Sequence, residues 1–234
     1  MLDTRRYNLA PAIGFGLVIT GGTAWLAGAR IDAGASYPLK AVVAFGVMTG
    51  AVAAVAGKEH PYPRFGPANG VTMIRAMLVA LVAGLIGHPA TPDILWWVIG
   101  LTAIMAALDG LDGWLARRTR MASGFGARFD METDAALILV LSILVWQHEK
   151  AGAWVLLCGL MRYGFMAAGW LLPWLAQPLQ PTLRGKTVAV GQVLGLSVAL
   201  APIVPAPLSA IAAALALTAL GWSFAIDIMR LSRQ

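Results

Sequence analysis

The stretch DGLDGWLARRTRMASGFGARFDMETD, residues 109–134, places five acidic residues between two apolar segments of the chain. The whole protein has only eleven Asp and Glu residues, so nearly half of them lie in this one stretch. Residues 94–108 before it and residues 135–147 after it are strongly apolar, but neither run has the roughly 20 residues that a helix needs to cross a bilayer. Each run becomes long enough only by extending into the acidic stretch. We therefore predict two membrane helices that carry the acids.

The composition of the whole chain is that of an integral membrane protein. Hydrophobic residues make up 59% of the 234 positions and charged residues only 12%, about half the charged fraction of a typical soluble domain. Six further apolar runs lie at residues 9–29, 39–57, 71–87, 151–175, 188–204 and 206–228. The predicted fold is all-α, a polytopic membrane bundle of about eight transmembrane helices.

The basic residues predict the orientation of this bundle, because cytoplasmic loops of membrane proteins are enriched in Lys and Arg. With both termini in the cytoplasm, 13 of the 17 basic residues fall inside, and only Arg30, Lys40 and Lys150 fall outside. The acidic stretch then faces the cytoplasm, and we expect the protein in a bacterial inner (plasma) membrane. Membrane lipids also explain the net charge of +6, so no nucleic-acid partner is predicted.

The chain is predicted to form one membrane domain with an addition at its N-terminus. Its first apolar run follows a basic segment, as in a signal peptide, but it is long for one and we expect it to be retained as a helix. The loop KEHPYPRFGPANG, residues 58–70, is the main break, since its Pro and Gly residues end the second helix. We predict two additional N-terminal transmembrane helices in residues 1–60 and a six-helix core in residues 61–234.

The first acidic helix is predicted to gather its functional residues on one face. At 100° per residue, Asp112 lies about 60° from Asp109 around the helix axis. The same face carries two small residues and one basic residue, namely Gly113, Ala116 and Arg117. A pair of carboxylates therefore lies beside open space and a cation.

The second acidic helix repeats this arrangement. Asp130 and Asp134 are one helical turn apart, and Gly126 lies one turn earlier on the same side. Glu132 points the other way, so we leave it out of the predicted site. Both helices thus present two carboxylates and at least one small residue.

Four carboxylates close together would repel one another and lose hydration, which makes their charged forms costly. Divalent cations remove this difficulty. Hard oxygen ligands at this density suit Mg²⁺ or Mn²⁺, and two metal ions about 4 Å apart would hold the oxygens of a phosphoryl group. We predict that the acids bind metal and that the metal binds phosphate, with the small residues leaving room for a bulky ligand.

These eight positions resemble a known family signature. Asp109, two residues, Asp112 and Gly113, two residues, Ala116 and Arg117, eight residues, Gly126, three residues, Asp130, three residues and Asp134 match the pattern of the CDP-alcohol phosphotransferase (CDP-alcohol phosphatidyltransferase) family. The segment NGVTMIR, residues 69–75, is similar to the Asn, Thr and Arg pattern that opens the first helix of the family's six-helix core. The resemblance in helix count runs from about Gly66 to the C-terminus and leaves the first two helices outside.

The resemblance implies a membrane enzyme that transfers a phosphoalcohol from a CDP-linked alcohol to an acceptor hydroxyl and releases CMP. Asp130 and Asp134 would be catalytic, with Asp134 as the general base that takes the acceptor proton. The ligands of two Mg²⁺ or Mn²⁺ ions would be Asp109, Asp112, Asp130 and Asp134. The expected CDP-binding residues are Asn69, Thr72, Asp112, Gly113, Ala116, Arg117 and Gly126.

Basic residues elsewhere are predicted to bind the acceptor or the donor headgroup. Arg162 lies mid-span, where an unpaired charge is costly, and such a residue is a site candidate by default. Arg184 and Lys186 open the seventh helix and complete the predicted anion pocket, and Arg75 and Arg128 are further expected phosphate contacts. A structural role for Arg162 and an anchoring role for Arg128 remain open alternatives.

Two questions of substrate and class stay open in the sequence. The favoured donor is CDP-diacylglycerol. The signature concerns only the part of the site that binds CDP, so a soluble CDP-polyol remains an alternative donor. The acceptor alcohol is not identified. A cation transporter with intramembrane carboxylates is an alternative of another class. The Ala-rich last helix and the family resemblance are compatible with a homodimer. Near the end of that helix, Asp227 is spaced to contact Arg230.

Overall fold

The computed structural model describes residues 9–56, 62, 64–119, 121–176 and 182–232. Within these residues all regular structure is helical and no strand occurs, which confirms the all-α prediction. The α-helices in chain order are α1 (Ala10–Ile31), α2 (Ser36–Ala56), α3 (Pro67–Ala83), α4 (Pro92–Thr119), α5 (Gly124–Gln147), α6 (Leu157–Leu171), α7 (Leu183–Leu200) and α8 (Ala206–Leu231).

Five segments of the described chain are long and apolar enough to cross a membrane. They are α1, residues 36–54 of α2, α4, residues 153–171 and α8, and the 17-residue α3 is a shorter apolar helix. This pattern confirms a polytopic helical membrane protein. In the predicted sixth span, residues 151–175, a short 3₁₀ helix at Ala153–Leu156 continues directly into α6. The helix then ends before a second 3₁₀ helix that begins at Pro173, which lacks the N–H that a continuing helix needs.

Both acid-bearing helices extend into the acidic stretch, as predicted. Helix α4 continues to Thr119, and α5 begins at Gly124. Ser123 caps α5, since its hydroxyl oxygen accepts a hydrogen bond from the backbone N–H of Gly126 at 3.0 Å. At the start of α3, Gly66 adopts a φ of 83° and Pro67 follows at the first helical turn. The NGVTMIR segment therefore lies on the helix.

The chain forms two compact units, of which the first comprises residues 1–88 and 100–136. Its core joins the N-terminal helices to those that carry the predicted site, because Phe45 of α2 belongs to the same buried cluster as Ala76 of α3 and Phe129 of α5. Gly16 of α1 permits this packing, since a Cβ there would lie 2.4 Å from the Phe45 ring. The division of the chain at residue 60 stays a prediction.

The second unit comprises residues 89–99 and 137–234. Helices α7 and α8 pack closely along each other: a Cβ on Gly195 would lie 3.0 Å from the Ala216 methyl group. The fully buried Gln192 donates a hydrogen bond to the Ala216 carbonyl. Lys150 donates to the carbonyls of Ala201 and Val204 at 3.1 and 2.8 Å, so this cation ties down the loop between the two helices.

Candidate active site

The site is built around Arg75, a side chain of α3 that is only 3% exposed. Its Nη2 lies 2.8 Å from an oxygen of Asp109 and also contacts Asp134. Its Nη1 lies 2.7 Å from an oxygen of Asp112 and also contacts Asp130. The four aspartates predicted from α4 and α5 therefore meet at one guanidinium. This partner was not predicted, because Arg75 was expected to contact phosphate.

The aspartates fit the requirements of a divalent-cation site. Single carboxylate oxygens of Asp109, Asp112 and Asp130 all lie within 4.8 Å of one another, and Asp134 joins them through its contact with Arg75. Asp112 is buried, with 7% of its side chain exposed, whereas the other three side chains are between 36% and 43% exposed. The carboxylate group is therefore buried on the side of Asp112 and exposed on the side of the other three aspartates. Its all-oxygen donors suit Mg²⁺ or Mn²⁺.

Helix α3 also fixes the deepest carboxylate through a second residue. The Thr72 hydroxyl donates at 3.3 Å to the Asp112 oxygen that Arg75 also contacts, and it lies 3.2 Å from the Ala68 carbonyl oxygen. Thr72 and Arg75 are three residues apart and so lie on one face of the helix. The Thr and Arg positions of NGVTMIR therefore hold Asp112 in place, a role that their spacing alone could not reveal.

Asn69 and Gly126, both predicted to bind CDP, lie against each other. A Cβ on Gly126 would lie 2.7 Å from the Asn69 side-chain oxygen, and the Asn69 amide donates to the Phe65 carbonyl. The glycine was expected to leave room for a ligand. Its missing side chain instead admits Asn69, so this pair sets the close approach of α3 to the start of α5.

The remaining predicted CDP residues follow one another along α4. Gly113 and Ala116 are half-buried, and Arg117 is exposed. The Arg117 side chain folds back over the preceding turn, where a Cβ on Gly113 would lie 3.4 Å from its Nη1. Arg118 stacks over the Trp114 ring at 5.1 Å, which gives this neighbouring arginine a separate contact.

The predicted anion-pocket residues belong to the second unit. Arg184 forms an ion pair with Asp227, and both side chains are between 22% and 23% exposed. The three-residue spacing allowed a contact of Asp227 with Arg230, but the observed partner comes from α7, 43 residues away in sequence. Lys186 is exposed at the start of α7, and Arg162 is half-buried on α6.

Two further residues complete the placement of the predicted set. Arg128 is half-buried on α5, and its side chain forms no hydrogen bond or ion pair with another described residue. Glu132, left out of the predicted site, is not among the acids that contact Arg75. Of the predicted residues, the four aspartates all contact Arg75, and Thr72 contacts Asp112.

Comparison with known proteins bears on the same region. The family model described as CDP-alcohol phosphatidyltransferase matches residues 65–226, which include α3 and both acidic helices. The chain is also similar to the CDP-diacylglycerol–glycerol-3-phosphate 3-phosphatidyltransferase of Cereibacter sphaeroides, with 27% identity over 89 residues. That alignment covers 38% of this chain and spans 40% of the length of the relative. No solved structure matches the chain significantly.

The family match covers more than half of the chain. It contains all four aspartates and, on α3, Thr72 and Arg75. The predicted signature and the observed meeting of its four aspartates fall inside it. The chain belongs to the CDP-alcohol phosphatidyltransferase family.

Proposed function

We propose that the protein is an integral membrane enzyme that transfers a phosphatidyl group from CDP-diacylglycerol to the hydroxyl of an alcohol and releases CMP. The observation that carries this proposal is the meeting of four aspartates from α4 and α5 within the family-matched region. The relative from Cereibacter sphaeroides supports glycerol 3-phosphate as the first acceptor to test.

The reaction requires one bond to form and one to break at phosphorus. The acceptor oxygen bonds to the phosphorus that carries the diacylglycerol, and the bond from that phosphorus to the oxygen shared with CMP breaks. CMP leaves with the electron pair and that oxygen, while the acceptor proton must go to a base. We assign this base to Asp134, whose side chain is 36% exposed and can be reached by a substrate.

The carboxylates of Asp109, Asp112, Asp130 and Asp134 would hold two Mg²⁺ or Mn²⁺ ions. When bound, such ions neutralise the negative charge of the phosphoryl oxygens and of the leaving group. The protein's own contribution is to hold the ligands in place. Thr72 fixes Asp112 from α3, and the Asn69–Gly126 contact fixes the start of α5 against the same helix.

The CDP half of the donor is proposed to bind along α4. Gly113 and Ala116 present little side chain, so a nucleotide can approach the helix backbone closely. Arg117 folds back over Gly113 and supplies a cation for the pyrophosphate. Asn69, Thr72 and Gly126 would border this site from α3 and α5.

The acceptor is proposed to bind through basic residues of the second unit. Arg184, Lys186 and Arg162 supply three cations, which suits an acceptor that carries a phosphate. Asp227 pairs with Arg184 and would orient its guanidinium. Arg128 on α5 is a further proposed phosphate contact.

The membrane setting follows from the same chemistry. A diacylglycerol donor can enter sideways from the bilayer, whereas CMP and a soluble acceptor exchange with the cytoplasm. We therefore place the protein in a bacterial inner membrane with its site facing the cytoplasm, where most basic residues would lie. A soluble CDP-polyol is the alternative donor, and the experiment below distinguishes it from CDP-diacylglycerol. A homodimer is also proposed, and a mass measurement would test it.

The test is CMP release by the purified protein from CDP-diacylglycerol, with Mg²⁺ or Mn²⁺ and a panel of acceptors that begins with glycerol 3-phosphate. Release that requires both one acceptor and the metal, and that Asp130→Asn loses, is expected. Release from a CDP-polyol but not from CDP-diacylglycerol would replace the donor. Absence of CMP with either donor, across the panel, would contradict the proposed activity.

A further inference from the structure

The guanidinium of Arg75 divides the four carboxylates into two pairs. Nη1 contacts Asp112 of α4 and Asp130 of α5. Nη2 contacts Asp109 of α4 and Asp134 of α5. Each terminal nitrogen therefore joins one acid from each helix, and one cationic group links all four. The planar guanidinium of one side chain therefore links α4 to α5.

The charges of this group do not balance. When all four carboxylates are ionised they carry four negative charges, and Arg75 supplies one positive charge, so three negative charges remain close to one another. Two divalent cations would supply the four positive charges that the acids lack. With both ions bound, the guanidinium would be a surplus cation beside them and would be repelled. Arg75 and the metal ions therefore compete for the same oxygens.

The guanidinium is also incompletely satisfied where it lies. Its Nε is buried and has no hydrogen-bond partner in the described part of the chain. Only the two terminal nitrogens have partners, and all of these partners are carboxylates that would also be metal ligands. Buried polar groups in proteins normally have a partner, so the unpaired Nε makes this position less favourable for the guanidinium.

We propose that Arg75 is an internal counter-ion of the metal-free site, which holds the two acidic helices together until divalent cations bind and then leaves the carboxylates. In this role it is a positioning residue that acts through Asp109, Asp112, Asp130 and Asp134. The released guanidinium becomes free to meet the phosphates of the donor, which agrees with the phosphate contact predicted for it from the sequence. The inference rests on the proposed use of metal.

The competition has a measurable consequence for metal affinity. If the Arg75-bound form is favoured about tenfold over the open form, the apparent affinity for metal is reduced by that factor. Arg75→Gln is therefore expected to bind Mn²⁺ about tenfold more tightly than the wild type. The same variant should lose thermal stability in EDTA and recover most of that loss in saturating Mn²⁺. Mn²⁺ affinity is read by electron paramagnetic resonance and stability by the thermal midpoint in detergent.

Two further variants keep the test decisive. Arg75→Lys preserves the charge but offers one nitrogen instead of a fork, so its Mn²⁺ affinity should fall between those of wild type and Arg75→Gln, and it serves if Arg75→Gln does not fold. Arg184→Gln removes a partly buried arginine from a neutral pair and should leave Mn²⁺ affinity unchanged. Equal or weaker Mn²⁺ binding by both Arg75 variants, with the same loss of stability in EDTA and in Mn²⁺, would overturn the proposal. These readouts use no substrate, so absence of CMP release would contradict only the proposed function.

Discussion

The two units of the protein each hold an arginine in contact with aspartate, and the two groups differ in charge. In the second unit Arg184 and Asp227 form a pair of one cation and one anion. In the first unit Arg75 contacts four carboxylates and is almost fully buried. The pair is neutral and needs nothing more, whereas the larger group keeps an excess of negative charge. Unbalanced charge, rather than the presence of an ion pair, therefore distinguishes the predicted metal site.

The sharpest difference between the two groups is expected in catalysis. Asp134→Asn removes the proposed base and should lower kcat for CMP release by about 10²- to 10⁴-fold, because asparagine cannot take the acceptor proton. Mn²⁺ binding by the variant, followed by paramagnetic resonance, should weaken, because Asp134 is also a proposed metal ligand, but kcat should stay low even at saturating Mn²⁺. An Asp134→Asn enzyme with nearly wild-type kcat would remove this residue from the role of base.

The second comparison concerns the metal ligands themselves. Asp130→Asn should lower CMP release by more than about 100-fold, which exceeds the usual cost of losing a residue that merely supports a metal ligand. Its Mn²⁺ affinity should fall as well. Asp227→Asn is the matched control, since it neutralises an aspartate paired with arginine in the balanced group. Equal Mn²⁺ affinity in the two variants would contradict the assignment of the metal to the first unit.

Substitutions in the Arg184–Asp227 pair should change acceptor binding rather than metal binding. Arg184→Gln is expected to raise the Michaelis constant for a phosphorylated acceptor about tenfold, the cost of one charge-assisted hydrogen bond. Asp227→Asn should raise it less, because the arginine remains. Steady-state kinetics at saturating metal give both values. An unchanged Michaelis constant in Arg184→Gln would remove Arg184 from the acceptor pocket.

The last predicted effect is on stability rather than on activity, and it concerns the distance between α3 and α5. Gly126→Ala places a methyl group against the Asn69 side chain and should lower the free energy of unfolding by about 1–3 kcal/mol. Thermal midpoints in detergent check this, with Gly191→Ala on α7 as the control, because a Cβ there meets nothing within 4 Å.

A second substitution tests the cause of this effect. Asn69→Ala in the Gly126→Ala background removes the side chain that the new methyl group meets. The double variant should recover part of the stability lost by Gly126→Ala. Strictly additive losses would show that Asn69 and Gly126 do not depend on each other.

The sequence predicted those features that depend on spacing within one helix. The apolar runs beside residues 109–134 were too short to span a membrane, which predicted that both helices extend into the acids. The three- and four-residue spacings predicted that Asp109 and Asp112 share a face, and that Asp130 and Asp134 do. Contacts among these residues agree with both predictions.

Contacts between helices could not be predicted in this way. Spacing along α3 shows that Thr72 and Arg75 share a face but not which neighbouring helix that face meets. The pairing of Arg184 with Asp227 was missed for the same reason, since the three-residue spacing indicated only a contact that Arg230 could make. The role of Gly126 also depended on a neighbour, Asn69, which lies on another helix.

The N-terminal helices show the limit of the family resemblance. They lie outside the matched residues 65–226, yet Phe45 of α2 belongs to the buried cluster that contains residues of α3 and α5. Their packing depends on small residues such as Gly16, which lies against the Phe45 ring of another helix. The pattern of residues along one helix does not show which neighbouring side chain it will meet. The N-terminal helices therefore support the helices of the site.

The central claim is that the four carboxylates around Arg75 form a divalent-metal site, and the most direct test is the number of Mn²⁺ ions bound per chain. Purified wild-type protein in detergent, titrated with Mn²⁺ and followed by electron paramagnetic resonance, is expected to bind two ions. Asp130→Asn is expected to bind fewer ions or to bind them much more weakly, while Asp227→Asn should match the wild type. A wild-type chain that binds no Mn²⁺, or one whose binding is unaffected by Asp130→Asn, would contradict the account.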